Sequence, residues 1–173
     1  ISLTALVEPS GKLAFRLCQA WVFWGKTISF TRIEVDRRAN VDPTRSYVIM
    51  SNHQSLLDIP TLMLGAGLQF RWVIKKSFAR VPLFGWALWF AKHVFIDRSN
   101  PKKSLRDMDK AAARLPAGVS IAVFPEGTRS DDGVVRQFKA GGFLLAVRNG
   151  LPILPVTVNG SSPSEPSTRM RAT

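Results

Sequence analysis

The sequence contains few of the residues from which disulfides, metal sites and covalent catalytic centres are built. Cys18 is its single cysteine, which excludes an internal disulfide and a cysteine-based metal cluster. His53 and His93 are its two histidines, so we expect no zinc site and no other bound metal. The Gly-x-Ser-x-Gly motif is absent too, so we expect no serine nucleophile on a strand-to-helix elbow.

Acidic residues are also scarce. The chain of 173 residues has 12 Asp and Glu against 24 Lys and Arg, for a net charge of +12. Such a charge favours an anionic partner, which could be nucleic acid, an anionic bilayer surface or a phosphorylated substrate. Nucleic acid is not the partner we expect, because the Trp and Phe residues lie in apolar runs and no recognition motif is present.

The chain has no uninterrupted apolar run of the roughly 20 residues that a membrane-spanning helix requires. Residues 13–30 are rich in Leu, Phe and Trp but contain charged and polar side chains. They predict a helix or helical pair at a membrane surface, with Trp21 and Trp24 at the headgroup boundary. The alternative is an amphipathic helix packed on the domain. Residues 81–91, too short to cross a bilayer, predict either core or a second membrane-contacting surface.

Predicted strands and helices alternate along the chain, which indicates an α/β fold with a mixed, largely parallel sheet covered by helices. We expect a membrane-associated helical segment in residues 1–30, a single domain in residues 31–160 and a disordered tail in residues 161–173. The predicted strands are 28–35, 47–50, 70–74, 93–98, 119–124 and 153–158, and the predicted helices are 59–64, 99–115 and 138–148.

The polar residues after the second predicted strand are the most distinctive feature of the sequence. Asn52 and His53 follow this strand, and Ser55 and Asp58 have the spacing of a helix capping box. If the chain turns between them, Asp58 can bind one ring nitrogen of His53 and leave the other free to accept a proton from a hydroxyl. The alternative is that Asp58 merely caps the helix and His53 is an ordinary turn residue.

Two further strands are followed by polar groups of the same kind. Arg98 ends the strand at 93–98, and the strand at 119–124 is followed by residues 126–129, with sequence Glu-Gly-Thr-Arg. Ligands of parallel sheets bind beyond the carboxyl ends of the strands, so these groups form one pocket if the strands are parallel neighbours. Arginine suits bidentate binding of phosphate, and Gly127 lets the backbone approach an anion closely. The alternative for Arg98 and Arg129 is a surface cation or a structural ion pair. Glu126 could pair with an arginine or accept a hydrogen bond from a substrate hydroxyl.

Four segments resemble, in order, the motifs of the glycerolipid acyltransferase family, most closely its lysophosphatidic acid acyltransferases. One such motif is weak evidence, but four in order over residues 51–156 are specific. The four are Asn-His-Gln-Ser-Leu-Leu-Asp at 52–58, Phe-Ile-Asp-Arg at 95–98, Phe-Pro-Glu-Gly-Thr-Arg-Ser at 124–130 and Leu-Pro-Ile-Leu-Pro-Val at 151–156.

The resemblance implies an enzyme that transfers a fatty acyl group from acyl-CoA or acyl carrier protein, used as substrates, to the hydroxyl of a lysophospholipid. It implies that His53 and Asp58 are the catalytic pair and that Asn52 and Ser55 support them. Acceptor binding would fall to Arg98, Glu126, Gly127, Thr128 and Arg129. No cofactor is implied.

The resemblance also implies attachment to membrane lipids, on the cytoplasmic face of the inner membrane. Because the family continues beyond its fourth motif, we expect its C-terminal part to be missing here. A different lysophospholipid acceptor, or a catalytically impaired membrane-binding module, remains an alternative. A thioester donor is already activated, so no enzyme nucleophile is required, and backbone amides near the His53 corner are candidate donors to the oxyanion.

Overall fold

The computed structural model describes residues 8, 10–30, 32–37, 41–130, 132–161 and 168–172. Its helices are α1 (Lys12–Ile28), α2 (Asp58–Gly65), α3 (Phe84–Phe90), α4 (Pro101–Ala112) and α5 (Gly141–Asn149), with a 3-10 helix at Lys76–Arg80. Its strands are β1 (Ile33–Arg37), β2 (Val48–Ser51), β3 (Gln69–Lys75), β4 (Val94–Ile96), β5 (Val119–Val123), β6 (Ile153–Asn159) and β7 (Thr168–Ala172).

The seven strands form one sheet in the order β1-β7-β6-β2-β5-β3-β4. Every neighbouring pair is parallel except β6 and β7, which are antiparallel. The predicted α/β fold with a mixed, largely parallel sheet is therefore confirmed. β2 and β5 lie side by side near the middle and are buried along their whole length, as expected for strands covered on both faces.

Two hydrophobic clusters cover the two faces of the sheet. One includes Phe15 of α1, Leu62 of α2 and Phe70 of β3, and the other includes Met108 of α4 and Leu145 of α5. The helices thus lie on both faces of the sheet, and an α/β fold of this kind binds its ligands beyond the carboxyl ends of its strands.

The structure corrects the predicted elements at two places and adds a helix where none was predicted. Helix α1 continues to Ile28, so the first strand begins at Ile33 and not at residue 28. The apolar residues 81–91 contain the short helix α3. Strand β7 lies in the tail that we predicted to be disordered. Its backbone pairs with β6 on one side and β1 on the other. These hydrogen bonds order the segment although its sequence has no apolar pattern.

Within the described residues, no helix is both long and apolar enough to cross a bilayer. Helix α1 has two faces instead. Phe15 and Val22 are buried in the core, whereas Trp21 and Trp24 are largely exposed.

Candidate active site

His53 and Asp58 meet at the corner between β2 and α2. β2 ends at Ser51 and α2 begins at Asp58, so the chain turns between the two residues. His53 Nδ1 lies 2.9 Å from Asp58 Oδ2. The histidine side chain is 13% exposed and the carboxylate is fully buried. With Nδ1 occupied, Nε2 is the nitrogen that can accept a proton.

The Asp58 carboxylate organises the turn as well as the imidazole. Its Oδ2 accepts hydrogen bonds from the backbone N–H groups of Gln54 at 2.7 Å and Ser55 at 2.8 Å. Half of the predicted capping box forms, the hydrogen bond from Ser55 N to the Asp58 carboxylate. The other half does not, because the Ser55 hydroxyl accepts from Leu57 N and not from Asp58 N. The same carboxylate therefore holds both the backbone turn and the imidazole of His53.

Asp58 is held in its charged form. Burial alone would raise its pKa, but hydrogen bonds from His53, the Ser161 hydroxyl and the N–H groups of Ser55 and Gln54 outweigh burial and lower the pKa. The Ser161 contact is the loosest of these, since neither Asp58 Oδ1 nor Ser161 Oγ reaches full hydrogen-bond geometry. An ionised Asp58 fixes the histidine tautomer and stabilises an imidazolium.

An aromatic stack, which the sequence did not predict, fixes the plane of the His53 ring. Phe124, the residue after β5, stacks on His53 with ring centroids 3.8 Å apart and planes 9° apart. Trp72 of β3 stacks on Phe124 in turn, with centroids 5.3 Å apart. The position of Phe124 directly after a strand could have indicated this contact. The inference requires the strand order, in which β2, β5 and β3 are adjacent.

Glu126 joins the loop after β5 to the corner that contains His53. The residue is 2% exposed. Its Oε1 accepts from His53 N at 2.7 Å and its Oε2 accepts from Arg136 N, also at 2.7 Å. Ser130 N adds a hydrogen bond to the His53 carbonyl at 2.9 Å. Sequence reasoning proposed an arginine or a substrate hydroxyl as the partner of Glu126, whereas both oxygens bind backbone amides.

These bonds also remove the candidate oxyanion donors at the corner. The N–H groups of His53, Gln54 and Ser55 all donate to carboxylates. We therefore no longer expect them to stabilise an oxyanion.

Asn52 continues the pairing of β2 with β6 beyond the last backbone bond. Its Nδ2 donates to Val158 O, and its Oδ1 accepts from Val158 N, both at 2.8 Å. This buried pair of hydrogen bonds fixes the position of the backbone immediately before His53.

The predicted anion-binding residues lie around a glycine turn. Gly127 adopts a φ of +75°, which favours glycine. Arg98 Nη1 donates to the Gly127 carbonyl, so the structure brings the arginine after β4 to the loop after β5. Thr128 and Arg129 are exposed. Desolvation lowers the pKa of Arg98, although the group remains substantially exposed and stays cationic.

Lys139 is a cation near this turn that sequence reasoning missed. A Cβ placed on Gly127 would lie 2.9 Å from Lys139 Nζ, so the ammonium lies directly beside the glycine. No three His, Cys, Asp or Glu side chains come together as a metal site in the part of the chain that the structure describes.

The architecture and this site can now be compared with known proteins. The model of the family described as Acyltransferase matches residues 32–159. The chain belongs to this acyltransferase family. The predicted family resemblance is thus confirmed, and the matched residues include His53, Asp58, Arg98 and residues 126–129.

Curated relatives of the chain carry the name 1-acyl-sn-glycerol-3-phosphate acyltransferase. One from Pseudomonas aeruginosa is 37% identical over 144 residues, which cover 82% of this chain and 55% of that protein. The chloroplastic protein LPAT1 from Arabidopsis thaliana is 34% identical over 139 residues, which cover 80% of this chain and 39% of that protein. The chain thus spans about half of the bacterial relative's length and less of the plant relative's.

A solved structure shares the fold. The crystal structure of the 1-acyl-sn-glycerophosphate acyltransferase PlsC from Thermotoga maritima matches with a TM-score of 0.74 and 28% identity, over 92% of this chain and 67% of that chain.

Proposed function

We propose that the protein is an O-acyltransferase that moves a fatty acyl group from acyl-CoA or acyl carrier protein to the hydroxyl of lysophosphatidic acid, giving phosphatidic acid. The observation that carries the proposal is the 2.9 Å pair of His53 and Asp58 next to a loop in which Arg129 is exposed and Arg98 contacts the Gly127 carbonyl. The relatives' names support the acceptor. A thioester donor fits this site, because its acyl group is already activated and an enzyme nucleophile is not needed.

The reaction follows from the position of His53. Nε2 takes the proton of the acceptor hydroxyl as the oxygen attacks the thioester carbonyl. Asp58 stabilises the imidazolium that forms. The tetrahedral intermediate then collapses, the carbon–sulfur bond breaks, and the imidazolium returns its proton to the leaving thiolate. His53 ends the cycle neutral, and one ester bond has replaced one thioester bond.

We also propose that Arg98, Gly127, Thr128 and Arg129 bind the acceptor phosphate. Arg129 is exposed and has no hydrogen bond or ion pair with any described residue, so its guanidinium is available to a ligand. Glu126 supports this site indirectly, by holding the loop against His53.

The proposed acceptor is a membrane lipid, and we propose that the protein works at an anionic membrane surface. Exposed Trp21 and Trp24 on α1 suit the headgroup boundary, and the net charge of +12 suits anionic lipid. The cytoplasmic face of the inner membrane is the side that we propose, because acyl-CoA and acyl carrier protein are cytoplasmic donors.

The direct test incubates the purified protein with acyl-CoA and lysophosphatidic acid, and with acyl carrier protein as the alternative donor. Phosphatidic acid should form with the parent protein and not with His53→Ala. Equal product from both proteins would refute the mechanism. Product from another lysophospholipid, with none from lysophosphatidic acid, would assign a different acceptor and retain the chemistry.

A further inference from the structure

We propose that Lys139 is a third cation of the anion site and binds the acceptor phosphate together with Arg98 and Arg129. The proposal rests on the proposed function, and it assigns a binding role to a residue that lies outside the four sequence motifs. Lys139 precedes α5, 41 residues after Arg98 in the sequence.

The backbone of Lys139 is attached to the same loop as the predicted binding residues. Its N–H donates to the Pro125 carbonyl at 2.9 Å. Its side chain then lies along Gly127, since a Cβ there would be 3.3 Å from both Cδ and Cε of the lysine and 2.9 Å from Nζ. The absence of a side chain at Gly127 thus makes room for the lysine stem and leads the ammonium to the turn.

Arg98 reaches the same turn by a different route. Its guanidinium donates to the Gly127 carbonyl, and Arg129 follows Gly127 by two positions. The cationic side chains of Arg98, after β4, and Lys139, two residues before α5, therefore meet at one glycine, and Arg129 is in the same loop. Like charges that approach each other are unfavourable unless an anion lies among them.

The described residues supply no such anion. Their ion pairs leave Lys139 without a carboxylate partner. Glu126 is the adjacent carboxylate, but it is buried and both of its oxygens accept from backbone N–H groups. Asp132, further along the loop, pairs with Arg136. A phosphate from the ligand would complete the site, with the arginine fork and the lysine point charge acting together.

The test compares Lys139→Met with the parent protein. Methionine keeps an unbranched apolar stem against Gly127 and removes the charge. Because a charge-assisted hydrogen bond to the phosphate is lost, the KM for short-chain lysophosphatidic acid should rise by roughly ten-fold or more. The kcat should change little, and the KM for uncharged monoacylglycerol should not change. Titration of the same short-chain lipid by calorimetry should show a matching loss of affinity.

Matched variants separate charge from structure. Lys139→Arg should restore most of the affinity for the phosphorylated acceptor. Lys110→Met, which removes an exposed cation from the last turn of α4, should leave both acceptors unaffected. An equal rise in KM for both acceptors, or none for either, would overturn the role of Lys139.

Arg129→Ala distinguishes failure of this inference from failure of the proposed function. If Arg129→Ala weakens binding of the phosphorylated lipid and Lys139→Met does not, the inference alone is wrong. If the parent protein neither binds nor acylates lysophosphatidic acid, the proposed function is wrong and the inference falls with it.

Discussion

The ring of His53 is restrained on its edge by Asp58 and on its face by Phe124. Its own backbone N–H is held by Glu126. The general base that we propose thus has little rotational freedom, and the proton acceptor stays in one place between turnovers. These contacts come from three different side chains, in two parts of the chain, so they can be removed one at a time.

His53→Ala should lower kcat by roughly 100- to 10,000-fold, the usual contribution of a positioned general base. The protein should remain folded because the bonds from Gln54 N and Ser55 N to Asp58, which hold the turn, do not involve the His53 side chain. Steady-state kinetics with circular dichroism as the folding control checks this, and near-normal turnover in folded His53→Ala would remove the general-base mechanism.

Asp58→Asn should lower kcat and also destabilise the protein. A neutral amide cannot stabilise the imidazolium, and the N–H donors of Gln54 and Ser55 lose an ionised acceptor. The expected loss is about 1–3 kcal/mol in the free energy of unfolding. Urea denaturation measures it. Unchanged stability would mean that the carboxylate does not organise the turn.

Phe124→Leu should lower kcat by roughly three- to ten-fold, with KM unchanged. The positive charge that forms on His53 lies over the face of Phe124, and an aromatic contact of this kind contributes about 0.5–1.5 kcal/mol. Phe124→Tyr keeps the ring and should keep the rate. If Leu and Tyr variants had the same kcat, the stack would be packing without a catalytic effect.

At the scale of elements, α1 is both part of the core and a candidate membrane surface. Phe15 stacks edge-on against Phe70, and the Gln19 amide donates to the Met63 carbonyl of α2. One face of α1 is therefore the packed amphipathic helix that was one of the two predicted alternatives, and the exposed face is the one that the interfacial alternative would use. Deleting α1 would open the core, so its outer face has to be tested by point substitution.

The double variant Trp21→Ser with Trp24→Ser should bind vesicles containing anionic phosphatidylglycerol at least about ten-fold more weakly, because each large side chain contributes roughly 1.5–3 kcal/mol when buried. The two side chains are 79% and 64% exposed, so the fold should tolerate the change. Co-sedimentation with vesicles measures the binding.

Helix α3 provides the matched control. Trp86 and Trp89 are 60% and 65% exposed on a different element. The double variant Trp86→Ser with Trp89→Ser should retain vesicle binding if α1 is the membrane surface. Loss of binding in the α3 variant and not in the α1 variant would assign the role to α3.

For the whole molecule, His93 links stability to pH. Its Nδ1 accepts from Trp72 N at 3.1 Å. The residue keeps some accessible surface, but its ring is almost enclosed, and this burial, followed by the charge of Arg71, lowers the pKa of His93 to about 3. Unfolding returns the pKa to its ordinary 6.5. The unfolded chain then binds the extra proton between these values, so stability is complete above pH 6.5 and falls as pH decreases.

Lowering the pH from 8 to 5 should therefore reduce the free energy of unfolding by about 2 kcal/mol through His93. His93→Gln keeps an acceptor for Trp72 N and cannot be protonated in this range, so its stability should depend less on pH. Urea denaturation of both proteins at pH 8 and 5 checks this. Parallel losses in the two proteins would exclude His93 as the cause. Below about pH 3.8, protonation of Asp58 should destabilise both.

Local patterns in the sequence determined the fold class and much of the candidate site. β2, β5 and β6 are short, strongly apolar runs, so they were predicted nearly to the residue. The pairing of His53 with Asp58 could be predicted because the two residues are only five positions apart and a single turn brings them together. A disordered tail was predicted at β7 because its pattern is not apolar, and its order comes from pairing with β6 and β1.

Contacts between distant parts of the chain were decided by the tertiary structure alone. The sequence does not show that β2, β5 and β3 are neighbours, and therefore could not place Phe124 on His53 or Trp72 on Phe124. It did not show that Glu126 binds backbone amides, or that the stem of Lys139 lies along Gly127. Residue types and spacing specify local turns and periodicity, whereas these contacts depend on strand order and on the paths of loops across the edge of the sheet.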